Sequence, residues 1–113
     1  WPVASLSLII NGTKKIEGRL CKNTFKNINS GDIITFYNKD SKVDVIVTKV
    51  VKFNNFGSML INTGIKNTTP LATSFTKAIN IYNNIYSKED IKKYGVLAIY
   101  LKKIYWIIYI LTY

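Results

Sequence analysis

The residues best equipped for chemistry lie in one stretch near the N-terminus, Gly12-Thr13-Lys14-Lys15-Ile16-Glu17-Gly18-Arg19. Gly12 lets backbone approach a partner closely, Lys14 supplies a mobile point charge at a turn, and Arg19 presents a planar fork matched to a phosphate or a base edge. Glu17 and Arg19 are two residues apart in an alternating segment and so share a strand face. There the carboxylate can orient the guanidinium and still accept a bond from a base amino group. Lys15, Lys22 and Lys26 add positive charge beside the motif, and Lys49, Lys52, Lys66 and Lys77 would extend a basic face if the fold gathers them. Charge combined with aromatic platforms is how single-stranded nucleic acid is held. The catalytic alternative uses Glu17 as a general base toward water and Lys14 as the stabiliser of a developing oxyanion. The plainer reading is an ion-paired strand that only supports the fold, because charges on an outer strand face are usually just solvated.

Composition narrows these options. The chain has 113 residues with 16 Lys+Arg against 6 Asp+Glu, a formal net charge of +10, and is 48% hydrophobic and 13% aromatic. That length supports one domain with its own core. With no His and one Cys, His-based triads, zinc fingers and His/Cys metal clusters cannot be assembled within the chain, and neither reading of the motif requires a metal or a cofactor. Cys21 cannot form an internal disulfide, so an intracellular setting, cytoplasmic or nuclear, is expected. Two glycosylation sequons, at Asn11 and Asn67, read as chance in so Asn-rich a chain. A first residue of Trp rather than Met reads as a fragment or a processed product. Lys102 and Lys103 interrupt the long apolar region before it reaches the ~18 residues of a membrane span.

Positioning the motif requires elements around it. Val3, Leu6, Ile9 and Ile10 recur at helical spacing and Gly12 offers a left-handed stop, which predicts a helix feeding a strand over Lys15–Leu20 with a charged outer face. Ser30-Gly31-Asp32 turns into a strand over Ile33–Tyr37, and Val43–Phe53 is a longer strand with Val43, Val45, Val47 and Val51 on one face. Phe56, Met59 and Leu60 before Gly64 predict a short helix, and Pro70 a loop. Phe75, Ala78, Ile79, Tyr82, Ile85 and Tyr86 form the stripe of an amphipathic helix capped by Ser74. Ser87 caps another helix that Gly95 closes, followed by a strand over Val96–Leu101. Residues 105–113 are apolar on both faces and are expected either to pair as a last strand or to cover a partner, with a homodimer through this segment as one outcome. Trp1, Ser5 and Tyr82 are the candidates for cleft or stacking positions, Tyr82 more often core than platform at such spacing.

The pattern G-x-K-x-x-E-x-R at a helix-to-strand junction, followed by Gly31–Phe36, Pro70, Tyr82–Tyr86, Ser87–Asp90 and Tyr94–Ile99 in that order, resembles the ASCH domain family, in its short viral and prokaryotic form. The resemblance covers residues 1–104, with 105–113 as an extension. It implies an α+β fold, a PUA-like mixed β-barrel of five or six strands with flanking helices. It further implies binding of RNA or a modified nucleoside, with DNA as an open choice, in a cleft at Gly12, Thr13, Lys14, Lys15, Glu17, Arg19, Lys22 and Lys26. Some relatives are small amidohydrolases acting on N4-acetylcytidine through a Lys near the motif's start and a Thr nucleophile. Lys14 carries over from that pattern, while Glu17 occupies the place of the Thr, so the catalytic candidates here are Lys14 and Glu17.

Overall fold

The computed structural model describes residues 3–104, with side chains from residue 5 onward. The elements follow in the order α1 (Val3–Ile10), β1 (Ile16–Leu20), a 3-10 turn (Asn23–Asn27), β2 (Ile33–Tyr37), β3 (Lys42–Phe53), α2 (Phe56–Thr63), α3 (Ile65–Thr68), α4 (Phe75–Ile85), α5 (Lys88–Tyr94) and β4 (Val96–Lys103). Their limits are set by the signals in the sequence. Gly12, Gly64 and Gly95 end α1, α2 and α5 at φ +82°, +78° and +72°, backbone that side chains with a Cβ seldom adopt. Asn55, Ser74 and Ser87 accept the backbone N–H of Ser58, Lys77 and Asp90 at the opposite ends of α2, α4 and α5.

Among the described residues the strands form one curled antiparallel half-barrel in the order β1-β4-β3-β2. All three pairings are antiparallel, so the expected mixed sheet is not found here, and four strands stand where five or six were expected. The proposed strand over 105–113, and any dimer contact through it, lies outside the described residues.

The sheet is buried on both sides. On one face Ile16, Leu20, Val96 and Ala98 pack under Phe56, Met59 and Leu60 of α2, Ala78 and Tyr82 of α4, and Ile91 of α5. On the other, Val47, Leu97 and Ile99 meet Phe25 and Ile28, while Leu6 and Ile9 of α1 close over Phe36, Val43 and Val45. A register shift between Val47 and Lys49 changes which residues share a face in β3. Val50 therefore joins Val47, pairing with Ile99, and Val51 is turned to the opposite face with Ala98. The expected run of Val43, Val45, Val47 and Val51 on one face fails at that extra residue.

Candidate functional site

β1 is an edge strand, and what covers its edge makes the site. The Lys15 N–H donates to the Asn67 carbonyl of α3 at 2.9 Å, so α3 and the loop after it lie along β1. From the inner face α1 contributes Ser5 and Leu8, and from the outer face α4 contributes Ile81, Tyr82, Ile85 and Tyr86. Between them is a cavity of about 470 Å³ whose wall includes Lys14, Glu17, Gly18, Arg19 and the segment Thr68–Leu71, within the size range of small-ligand sites.

The expected charged outer face of β1 is thus turned into the protein. Glu17 is 5% exposed and Lys14 7%. Lys14 is not a mobile turn charge: its Nζ donates to the Thr68 carbonyl and lies 3.6 Å from Glu17 Oε1. Arg19 Nη2 is 3.5 Å from Glu17 Oε2, so one carboxylate is shared by two cations. Arg19 also lies 4.8 Å over the Phe25 ring, which fixes its fork by a cation–π contact.

Burial governs the protonation of this group. Loss of water pushes the Glu17 carboxyl above its ordinary range against the attraction of Lys14 and Arg19. The same loss pulls the Lys14 ammonium below its ordinary value against the attraction of Glu17. An acid raised and a base lowered within one cavity are brought toward a common pH, the arrangement that general acid–base work uses.

Tyr82 forms the back of the cavity. Its ring is stacked on Phe56 with centroids 4.2 Å apart and an interplanar angle of 4°, and Phe56 also stacks with Tyr86 at 5.5 Å. Tyr82 is therefore held as core on a ring face, and what it offers the cavity is its hydroxyl. That hydroxyl lies near the Thr68 side chain but makes no hydrogen bond of good geometry among the described residues, an expensive condition for a buried polar atom. Burial, then the Glu17 charge, keep it protonated as a donor. Gly18 is what admits the ring: a Cβ there would stand 3.0 Å from both Met59 Cε and the Tyr82 hydroxyl. At the mouth Leu71, Ile81 and Ile85 are exposed by 70%, 41% and 64%, leaving an apolar rim around a charged floor.

Of the residues named from sequence, Ser5, Lys14, Glu17, Arg19 and Tyr82 come together in this cavity. Gly12, Thr13 and Lys15 line a neighbouring depression with Lys66 and Asn67, joined to the cavity through Pro70. Lys22 is elsewhere, 3.9 Å from Asp90 and over the Tyr94 ring, and Lys26 is exposed on the 3-10 turn. Lys52 lines a different groove, and Lys49 lies over the Tyr100 ring. Trp1 lies outside the described residues. Sequence reasoning missed Thr68 and Thr69, both buried, and the apolar rim. The only signal for Thr68 was its place just before Pro70.

Among the described residues no cluster of His, Cys, Asp and Glu could hold a metal ion, and no helix is long and apolar enough to cross a membrane. The family model of the ASCH domain matches residues 4–105. The chain belongs to the ASCH domain family. This ASCH domain is similar, at 36% identity and a TM-score of 0.85, to the crystal structure of the hypothetical protein PH0355, covering 92% of this chain and 94% of that one. It is also similar to the solution NMR structure of protein PF0455 from Pyrococcus furiosus, at 35% identity and a TM-score of 0.78, covering 92% and 93% of the two chains. Comparison with curated proteins finds no match.

Proposed function

We propose that this ASCH domain binds RNA by taking a single nucleoside, unmodified or modified, into the cavity on the edge of β1. The observation that carries this reading is the Lys14–Glu17–Arg19 group, its Lys and Glu buried and its Arg part-exposed, set beside the poorly satisfied Tyr82 hydroxyl in one cavity. Glu17 accepts from a base amino group, Arg19 and Tyr82 donate to ring carbonyls or nitrogens, and Leu71, Ile81 and Ile85 supply apolar contact to the ring plane. A planar polar heterocycle is the ligand class whose edge and faces match that division. In this reading the half-barrel is the PUA-like fold that the resemblance implies. The setting is the reducing, intracellular one expected from a lone thiol.

A second reading is favoured by the opposed shifts of Lys14 and Glu17. A carboxylate made more basic by burial can take a proton from water as that water attacks an acyl carbonyl. Lys14 is placed to stabilise the oxyanion, and the proton then passes to the leaving amine. This would make the domain an amidohydrolase of N4-acetylcytidine or a related nucleoside, with water in the role of the Thr nucleophile. The experiment that separates the readings follows deacetylation of N4-acetylcytidine and, in parallel, affinity for labelled single-stranded RNA, with wild type and Lys14→Ala/Glu17→Gln. Binding lost by the variant without turnover in either protein supports recognition. Turnover abolished by the double change supports hydrolysis, and equal behaviour of both proteins in both assays assigns the motif to the fold.

A further inference from the structure

A second concavity, about 670 Å³, is lined by the end of β3 and by residues of α2, α4 and α5, with Phe56 in its wall. Four lysines line it, Lys52, Lys88, Lys92 and Lys93, together with Asn54 and Asn83, and no Asp or Glu does. None of the four ammonium groups is in an ion pair among the described residues. Of the acids on α5, Asp90 is engaged with Lys22, and Glu89 is not part of the wall.

Stability of the fold explains only part of this arrangement. Lys92 and Lys93 occupy the last turn of α5, where the helix dipole favours a cation. Lys88 is the first residue of α5, at the end where the same dipole disfavours it, and it faces Lys92 four residues on, a repulsive pair. Lys52 comes from β3 with its Cε 3.0 Å from where a Cβ on Gly95 would stand, so its side chain runs close to the C-terminal end of α5. Four lysines and no carboxylate on one groove wall favour an anion there, with the Lys93 ammonium also 5.2 Å over the Tyr94 ring. Asn54 and Asn83 add neutral donors, and Phe56 belongs to the wall of this groove while stacking on Tyr82 and Tyr86 of the cavity.

We infer that this groove is a phosphodiester track, which holds the backbone of the RNA strand whose nucleoside enters the cavity; the inference rests on the reading of that cavity given above. The two sites divide the work, the cavity reading one base and the groove neutralising the phosphates that flank it.

The test measures the affinity of the 113-residue chain for a fluorescein-labelled 12-nucleotide single-stranded RNA as a function of salt, for wild type, Lys88→Ala/Lys92→Ala and the charge-matched control Lys39→Ala/Lys42→Ala. Binding of free ribonucleosides, which carry no phosphate, is followed alongside with Lys14→Ala as a further variant. The slope of log affinity against log salt should become shallower by about 1.4 in Lys88→Ala/Lys92→Ala, at about 0.7 per phosphate contact for a single strand. It should stay at the wild-type value in the control, with nucleoside binding unchanged in both. An unchanged slope in Lys88→Ala/Lys92→Ala overturns the track, and so does an equal loss in the control, which would assign the effect to net charge. Nucleoside binding that depends on Lys14 beside a slope indifferent to Lys88 and Lys92 keeps the cavity and removes the track. A slope that falls as expected without Lys14-dependent nucleoside binding keeps the track and removes the cavity.

Discussion

Lys14 and Glu17 illustrate how a short motif becomes a site. Each would be solvated on an open strand, but under α3 and α4 each is the other's principal compensation for lost water. Removing one partner of a buried pair leaves the other charge stranded, at a cost of about 3–5 kcal/mol. Lys14→Met is therefore expected to lower unfolding stability by about 3 kcal/mol at neutral pH. Adding Glu17→Gln should recover most of the loss, as read from denaturant unfolding. The pH dependence has a fixed sign. Because the folded value of Glu17 is raised, its contribution is full below the ordinary carboxylate range and is lost as pH rises through the raised value. Lys14, lowered in the fold, contributes fully above the ordinary lysine range and loses that contribution as pH falls through its lowered value. The stability of wild type minus that of Glu17→Gln in thermal unfolding should accordingly decline as pH rises above the ordinary carboxylate range. A difference that stays flat or climbs with that rise contradicts a buried, raised carboxyl.

At the scale of elements, what could be read in the sequence was local. The caps Asn55, Ser74 and Ser87 and the stops Gly12, Gly64 and Gly95 act within a few residues of themselves, and the helices they bound are where their signals place them. Ser74→Ala and Ser87→Ala should each cost about 1 kcal/mol in thermal or denaturant unfolding without altering ligand binding. The features that escaped depend on partners distant in sequence. The extra residue in β3 is defined only against β4, and so Val50 rather than Val51 keeps company with Val47. The cover over β1 comes from Thr68, 54 residues beyond Lys14, and alternation within Lys15–Leu20 carries no sign of it. The half-burial expected of β1 became burial of every residue but Arg19 for that reason. Gly18→Ala tests the close packing that results: a Cβ against Met59 and Tyr82 should cost about 1–3 kcal/mol by overcrowding and displace the Tyr82 hydroxyl. Its binding defect should exceed that of Ser74→Ala, which leaves the cavity untouched.

For the whole molecule, composition spoke clearly about charge and class and said little about placement. A net charge of +10 attracts polyanions without regard to site, and it does not reveal that Lys14 and Arg19 line one cavity while Lys52, Lys88, Lys92 and Lys93 line another. The general family, by contrast, was legible because the motif and the later landmarks keep one order along the chain. With about five phosphates engaged, log affinity for single-stranded RNA should fall against log salt with a slope of roughly −3 to −4, a slope near zero being incompatible with a phosphate-tracking domain. The central claim is narrower than charge, and the most direct measurement of it is a titration of isotope-labelled protein with free nucleosides, followed by backbone amide shifts in wild type and Lys14→Ala/Glu17→Gln. The account predicts saturable shifts confined to β1, Thr68–Leu71 and α4 in wild type, and their loss in a variant whose remaining spectrum shows the fold intact. Shifts absent from those segments, or the same in both proteins, would contradict it.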